Sequence, residues 1–343
     1  MENNKYLKWL SGSTQSIYWH DSAIDSELTE AISNGAKGVT TNPFLINATM
    51  QSQPEFWAKS VSQISKDLTG DEKVEALMKC VTSYIAQKMK PFRAEGKGVG
   101  YCCAQTSPLA PGRTQYMIEQ AKRYTKWADN IVIKLPATRS GIEAYEECAA
   151  LGMNVAATVG FTVPQVLAVA EAFKRGAARA RANGIEPGLG IAVLMVGRLD
   201  DYLRDVMEDT KSVATESDII WSGTAAIKRA YSIFQERNYE CILMPAGCRG
   251  GYHVTELAGA NMIMSIAPKI AVQLKKLEGP FEERINVPVD QAIIDRLMTM
   301  PEFRKAYEPD GMTADEFITF GSANRTLSQF CECGWNPLLN KKL

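Results

Sequence analysis

Eight short runs rich in aliphatic and β-branched residues recur along the chain, each separated from the next by a stretch with helical spacing of apolar residues. They are QSIYWHD (15–21), GVTTN (38–42), GVGYCCAQ (98–105), NIVIKL (130–135), MNVAATV (153–159), GIAVLMV (190–196), ECILMPA (240–246) and NMIMSIA (261–267). Strands that alternate with helices pair in parallel, because the crossover returns the chain to the same end of the sheet. Eight such units fit a closed ring better than an open sheet. The expected class is therefore α/β, a (β/α)8 TIM barrel with inserted helices and a helical C-terminal extension. Residues 1–343 read as a single domain, with the insertion at about 44–97 and the extension at about 269–343.

The connecting segments carry their own punctuation. Ser140-Gly141-Ile142-Glu143 reads as a capping box, followed by an apolar face of Ile142, Tyr145 and Ala149 and a stop at Gly152. Thr162 is placed to cap a helix whose buried side is Val166, Val169, Ala170 and Phe173. Residues 52–90 exceed what one crossover needs. Phe56, Trp57, Val61, Ile64 and Leu68 suggest one helical stripe, Val74, Leu77, Met78, Val81 and Ile85 a second, with a break at Thr69-Gly70-Asp71. In the tail, Thr313-Ala314-Asp315-Glu316 forms another capping box, and no Gly/Ser or Pro-rich linker precedes it, so the tail is expected to pack on the barrel.

Composition narrows the function. The chain has 38 basic and 39 acidic residues, a net charge of -1, and nothing to attract nucleic acid or an anionic membrane. A small-molecule partner follows. No run of about 18 apolar residues exists, and the opening MENNKYLKWLSGSTQ lacks a signal-peptide core. A cytoplasmic location is expected, with eight reduced cysteines. Only His20 and His253 are present, and Cys331-Glu332-Cys333 lacks metal-site spacing, so no metal is expected. Cys248, next to Arg249, is the thiol expected to be exposed and reactive. Apolar surface on the helical layer suggests a homo-oligomer, a dimer first.

In a parallel barrel the chemistry gathers at the C-terminal ends of the strands. Standing there are Asp21, Thr40-Thr41-Asn42-Pro43, Gln105-Thr106, Lys134, Thr158, Gly197-Arg198 and Cys248-Arg249. Alternation puts Val132 and Lys134 on one face of their strand, with Ile131, Ile133 and Leu135 on the other. A lysine aimed into the helix layer would cost about 2 kcal/mol or more. Aimed into the barrel mouth it finds room, and partial burial would lower its pKa and free the amine to attack a carbonyl. It is equally open to being a strand-end lysine that snorkels to water. Asp21 and Asn42 suit a substrate rich in hydroxyls, or else cap a helix and make a turn. Arg198 and Arg249 suit a phosphate, or else form surface ion pairs.

Taken together these residues resemble the transaldolase family. Asp21 with GVTTNPFLI (38–46) is similar to that family's opening Asp and TTNPSLI motif, and IKLPAT (133–138) resembles its Schiff-base strand. MVGRLDD (195–201), MPAGCRG (244–250) and MIMSIAPKI (262–270) resemble its later strands, in order, over about residues 15–270. The resemblance implies a metal-free, cofactor-free class I mechanism within pentose phosphate carbohydrate metabolism. In it Lys134 attacks a ketose carbonyl at C2, Asp21 takes the C4 hydroxyl proton, Thr41 and Asn42 contact the substrate, and Arg198 and Arg249 grip the sugar phosphate.

The chain departs from the family at the donor pocket. Gln105 stands where transaldolase proper has a Glu working through a water beside Thr158, which is retained. Ala156 replaces an Asn, Val193 a Ser, Met195 an aromatic residue and Gly247 a Ser. Gln with Thr is similar to the fructose-6-phosphate aldolase branch, but that branch has a Tyr at the Met195 position and shorter chains. A Gln holds a water without shuttling its proton, and each lost hydrogen bond weakens the donor's hold by roughly 0.5–1.5 kcal/mol. Three functions fit: dihydroxyacetone transfer between sugar phosphates, direct aldol cleavage or synthesis with a small ketone, and non-catalytic sugar-phosphate binding. Lys134, Asp21 and Thr158 together argue against the last, since a binder needs no amine nucleophile.

Overall fold

The computed structural model describes residues 3–343. Among them eight parallel strands form a ring: β1 (Ile17–His20), β2 (Gly38–Val39), β3 (Tyr101–Gln105), β4 (Ile131–Pro136), β5 (Val155–Thr158), β6 (Gly190–Leu194), β7 (Ile242–Pro245) and β8 (Ile263–Ile266). Hydrogen-bonded neighbours run in the order β7-β6-β5-β4-β3-β2-β1-β8. β7 lies against β8, so the ring all but closes, and helices stand between the strands. This is the (β/α)8 TIM barrel with C-terminal helices that the strand spacing implied.

Register decides which side chains share the barrel interior. Gln105 pairs with Lys134, Lys134 with Ala156, Pro136 with Thr158, and Trp19 with both Gly38 and Ser265. Side chains of residues paired across parallel strands point to the same face. The lower interior is filled by Trp19. Its indole lies so close over Gly38 that a Cβ there would come within 2.3 Å of the ring. Its Nε1 donates to the Gly98 carbonyl at 2.8 Å, and Tyr101 stacks on it at 6.3 Å. One layer higher, at the C-terminal ends, the interior turns polar.

The insertion follows β2 as the helices Pro43–Ser52, Pro54–Val61 and Gly70–Met89. Val74, Leu77, Met78, Val81 and Ile85 are all fully buried, as their spacing required. The first stripe does not hold. Its helix stops at Val61, and Gln63 and Ile64 turn out of it through i→i−3 hydrogen bonds. Phe56 is exposed, Trp57 is buried with its Nε1 donating to Thr49 Oγ1, and Val61 and Ile64 pack half-buried against the core. The cap expected at Ser140 also moves. Helix Arg139–Ala150 starts two residues earlier, capped by Thr138, whose Oγ1 accepts the Gly141 amide at 3.1 Å. Pro136 closes β4, so the chain turns into the helix at the first available hydroxyl. Thr162 caps helix Val163–Ala182 as expected.

The C-terminal extension wraps the helix layer and returns to the barrel mouth. The Thr313–Glu316 capping box is present. Arg296 pairs with buried Asp218, and Trp335, fully buried, donates to Asp71. Helix Gly321–Phe330 lies against helix Val196–Thr210, beside the strand ends. No helix among the described residues is long and apolar enough to cross a membrane.

Candidate active site

A cleft of about 560 Å³ opens at the C-terminal ends of the strands. Asp21, Asn42, Lys134, Thr158, Val193, Met195, Arg198 and Arg249 all line it. Lys134 sits within it, only 7% exposed, and among the described residues no carboxylate or other hydrogen-bond partner meets its amino group. An unpaired buried polar group is costly, so packing alone does not account for it. The alternation on β4 places it inward with Val132, as the strand pattern required.

Asp21 is held by a short relay. Thr40 Oγ1 donates to its Oδ1 at 2.6 Å and is itself 2.8 Å from Ser265 Oγ. Thr40 has one proton to give, so Ser265 donates to Thr40 and Thr40 to the carboxylate. Asp21 does not cap the following helix, whose N-cap is Ile24. Asn42 does cap one: its Oδ1 accepts the Leu45 amide at 2.9 Å at the start of helix Pro43–Ser52. That leaves the amide nitrogen as the group it offers the cleft.

Gln105 and Thr158 flank Lys134 through register, one on β3 and one beyond it on β5. Gln105 Oε1 and Thr158 Oγ1 are both buried without a hydrogen-bond partner. An unsatisfied buried polar atom costs about 1–3 kcal/mol, so two beside one lysine mark a place built to receive a polar atom. Thr41 is different. Like Gln105 it does not line the cleft, but its hydroxyl is spent, donating to the Cys103 carbonyl at 2.6 Å, so it props β3 rather than facing a substrate.

The two arginines are fixed differently. Arg249 makes a two-pronged contact with Asp201 Oδ2, at 2.8 Å from Nε and 2.5 Å from Nη2, and donates from Nη1 to the Gly247 carbonyl. Arg198 has neutral partners: Nη2 donates to Gln329 Oε1 at 2.6 Å and Nη1 to Thr326 Oγ1 at 3.4 Å. Burial, then the nearby Arg249 charge, lower its pKa to about 10. Arg249 thus forms the ion pair that the alternative reading expected, partly exposed, whereas Arg198 has no carboxylate partner. Gly247 takes φ +65, the left-handed region that a serine would enter only with strain.

The reactive thiol expected at Cys248 is not there. The side chain is buried, and desolvation pushes its pKa up to about 12, so it stays a neutral thiol. Residues that sequence reasoning missed include Thr40 and Ser265, Asp201, and Gln329 and Phe330 from the C-terminal extension, which line the cleft opposite the barrel. Only the first Thr of TTNP and the second Asp of RLDD hinted at this; nothing marked Gln329.

A TIM barrel whose strand-end cleft gathers an unpaired lysine, a relay-held carboxylate and two arginines belongs with the barrel enzymes. Comparison with known proteins makes this particular. Residues 18–318 match the model of the Transaldolase/Fructose-6-phosphate aldolase family, and the chain belongs to that family. It is similar to a transaldolase of Thiobacillus denitrificans, 25% identical over 325 residues, which cover 91% of this chain and 88% of that one. A transaldolase of Renibacterium salmoninarum is 30% identical over 207 residues, 58% of this chain and 54% of its own. Transaldolase A of Pasteurella multocida is 28% identical over 210 residues, 59% and 60% respectively. This is an enzyme of the transaldolase type.

Proposed function

We propose that the protein moves a dihydroxyacetone unit between ketose and aldose phosphates through a Schiff base on Lys134. The observation that carries this is the unpaired lysine at 7% exposure within a cleft that also holds Asp21 and the two arginines. The neutral amine attacks the ketose C2 carbonyl, and loss of water leaves an iminium. Asp21 takes the C4 hydroxyl proton, the C3–C4 bond breaks, and its electron pair moves into the iminium to form an enamine as the aldose phosphate departs. The enamine then attacks an acceptor aldehyde, Asp21 returns the proton, and water releases the new ketose. Arg198 and Arg249 hold the phosphate, with Arg198 free of any carboxylate that would compete. Asn42 offers its amide nitrogen to a donor hydroxyl. Gln105 and Thr158 hold the water at their two unpartnered atoms.

A second reading is favoured by one observation. Val193, Met195 and Met244 form an apolar wall to the cleft, which suits a donor with one hydroxyl fewer and direct aldol cleavage or synthesis. Fructose 6-phosphate separates the two. Under transfer, glyceraldehyde 3-phosphate accumulates only when erythrose 4-phosphate is added. Under cleavage it accumulates without acceptor, together with free dihydroxyacetone. Formation of no product in either case overturns both. Gln105→Glu, which restores a proton shuttle at the water, is expected to raise the transfer-to-cleavage ratio; an unchanged ratio removes Gln105 from the water site.

A further inference from the structure

Behind the cleft lies a fully buried aspartate–histidine pair that the reaction above does not use. Asp200 and His253 are both 0% exposed, and His253 Nε2 lies 2.9 Å from Asp200 Oδ2, at an oblique angle. The other ring nitrogen is the informative one. His253 Nδ1 accepts the backbone N–H of Arg249 at 3.2 Å. An acceptor Nδ1 leaves the ring proton of the neutral imidazole on Nε2, so the Arg249 contact selects the tautomer, and Nε2 faces the Asp200 carboxylate without completing a hydrogen bond.

Asp200 is itself anchored. Its Oδ1 accepts the Ser222 hydroxyl and the Gly223 amide, each at 2.8 Å, at the start of helix Ser222–Glu236, and Tyr252 donates to its Oδ2 at 3.3 Å. Its neighbour Asp201 grips the guanidinium group of the same arginine. Two consecutive aspartates on helix Val196–Thr210 thus reach Arg249 by two routes, one through its side chain and one, by way of His253, through its main chain. The approach is tight: a Cβ on Gly197 would lie 2.3 Å from the Gly247 carbonyl and 3.0 Å from the Arg249 nitrogen. The loop bearing Arg249 also contains the left-handed Gly247; Asp201 ties its arginine side chain and Gln273 accepts the Gly251 amide at 2.9 Å, while the Arg249 amide itself has His253 Nδ1 as its acceptor.

We infer that His253, oriented by Asp200, is a positioning residue that sets the loop carrying Arg249 and thereby the enzyme's grip on the phosphate of its substrate. The inference rests on the reading of Arg249 as a phosphate contact. Orientation of a guanidinium fork matters because bidentate phosphate recognition is geometric. A buried acceptor lost beneath it lets the loop drift without touching the lysine chemistry.

The test is borohydride trapping of the full-length protein, titrated separately with fructose 6-phosphate and with dihydroxyacetone. In His253→Leu, which has no acceptor, half-saturation for fructose 6-phosphate is expected to rise about tenfold, the worth of one lost hydrogen bond. For dihydroxyacetone, which has no phosphate, the rise is expected to stay below about twofold. His253→Asn places an amide oxygen near the Nδ1 position and is expected to recover most of the loss. Asp200→Asn keeps the acceptor for Ser222 and Gly223 but turns a donor toward the His253 N–H; it should show the same selective loss and decides the matter if His253→Leu does not fold. Equal changes for the two ligands, no change for either, or no recovery in His253→Asn overturns the positioning role. Arg249→Ala separates the two layers of the claim. If it does not weaken fructose 6-phosphate trapping, the phosphate reading itself fails. If it does and the His253 and Asp200 variants do not, only the positioning role falls.

Discussion

Replacing Lys134 by methionine should destroy the chemistry and make the protein slightly more stable. The two side chains have similar volume, so the substitution opens no cavity. What it removes is a buried amino group, 7% exposed, with no hydrogen-bond partner among the described residues. A buried polar group without compensation costs about 1–3 kcal/mol by protein mutational measures. At about 2.1 cal/mol/K per residue, a chain of 343 residues loses about 0.7 kcal/mol of stability per degree near its midpoint. The gain therefore corresponds to a rise of about 1.5 to 4 °C in Tm. Turnover should fall on the order of 10⁴-fold or more, as for loss of a nucleophile elsewhere. Scanning calorimetry and a coupled assay for glyceraldehyde 3-phosphate, run on the same preparation, measure both. Such opposition is the mark of a residue kept for function at the expense of stability. A Tm lowered by several degrees would mean that Lys134 has a structural partner, and retained turnover would remove it as nucleophile. Either result refutes the reasoning.

Gln329→Leu strips the 2.6 Å contact from Arg198; since a hydrogen bond to a charged group is worth about 1.5–3 kcal/mol, KM for a sugar phosphate should rise tenfold or more while kcat moves little, as steady-state kinetics will show. Gly247→Ser puts back the family's usual residue, yet at φ +65 it should lower stability by about 1–2 kcal/mol in denaturant melts rather than improve the enzyme. Asp218, buried, is held at a pKa of about 2 by Arg296, so its contribution to stability is full above pH 3.8 and is lost as pH falls through about 2. Asp218→Asn should therefore lower stability at pH 7, by less than the full shift implies because Arg296 is partly exposed and screened, and flatten the acid limb of the stability curve between pH 4 and pH 2, as urea melts across that range will show.

The barrel was legible because its cues are local. Strand alternation, capping residues and the spacing of eight runs are each contained within one unit, and the inward face of Lys134 followed from its neighbours Ile133 and Leu135. Asp21, Asn42 and the arginines were legible as strand-end polarity backed by resemblance. Elements that depended on distant partners were not. Gln329 meets Arg198 across 131 positions, and His253 acts on Arg249 only because Asp200 is delivered by another helix. Thr40, not Thr41, reaches the cleft because a two-residue β2 puts Thr40 inward, against Asp21, while Thr41 turns to the β3 carbonyl. Cys248 was judged by its charged neighbour, whereas burial sets its state. The Ser140 box lost to Thr138 because both hydroxyls lie within one turn and Pro136 favours the earlier start.

The central claim is that Lys134 is the amine that bonds to the substrate. Its most direct measurement is borohydride reduction of the wild-type protein in the presence of fructose 6-phosphate, followed by proteolysis and mass mapping of every lysine. The account expects a single reduced dihydroxyacetone adduct, on the peptide containing Ile133-Lys134-Leu135. An adduct on any other lysine, or none at saturating substrate, contradicts it.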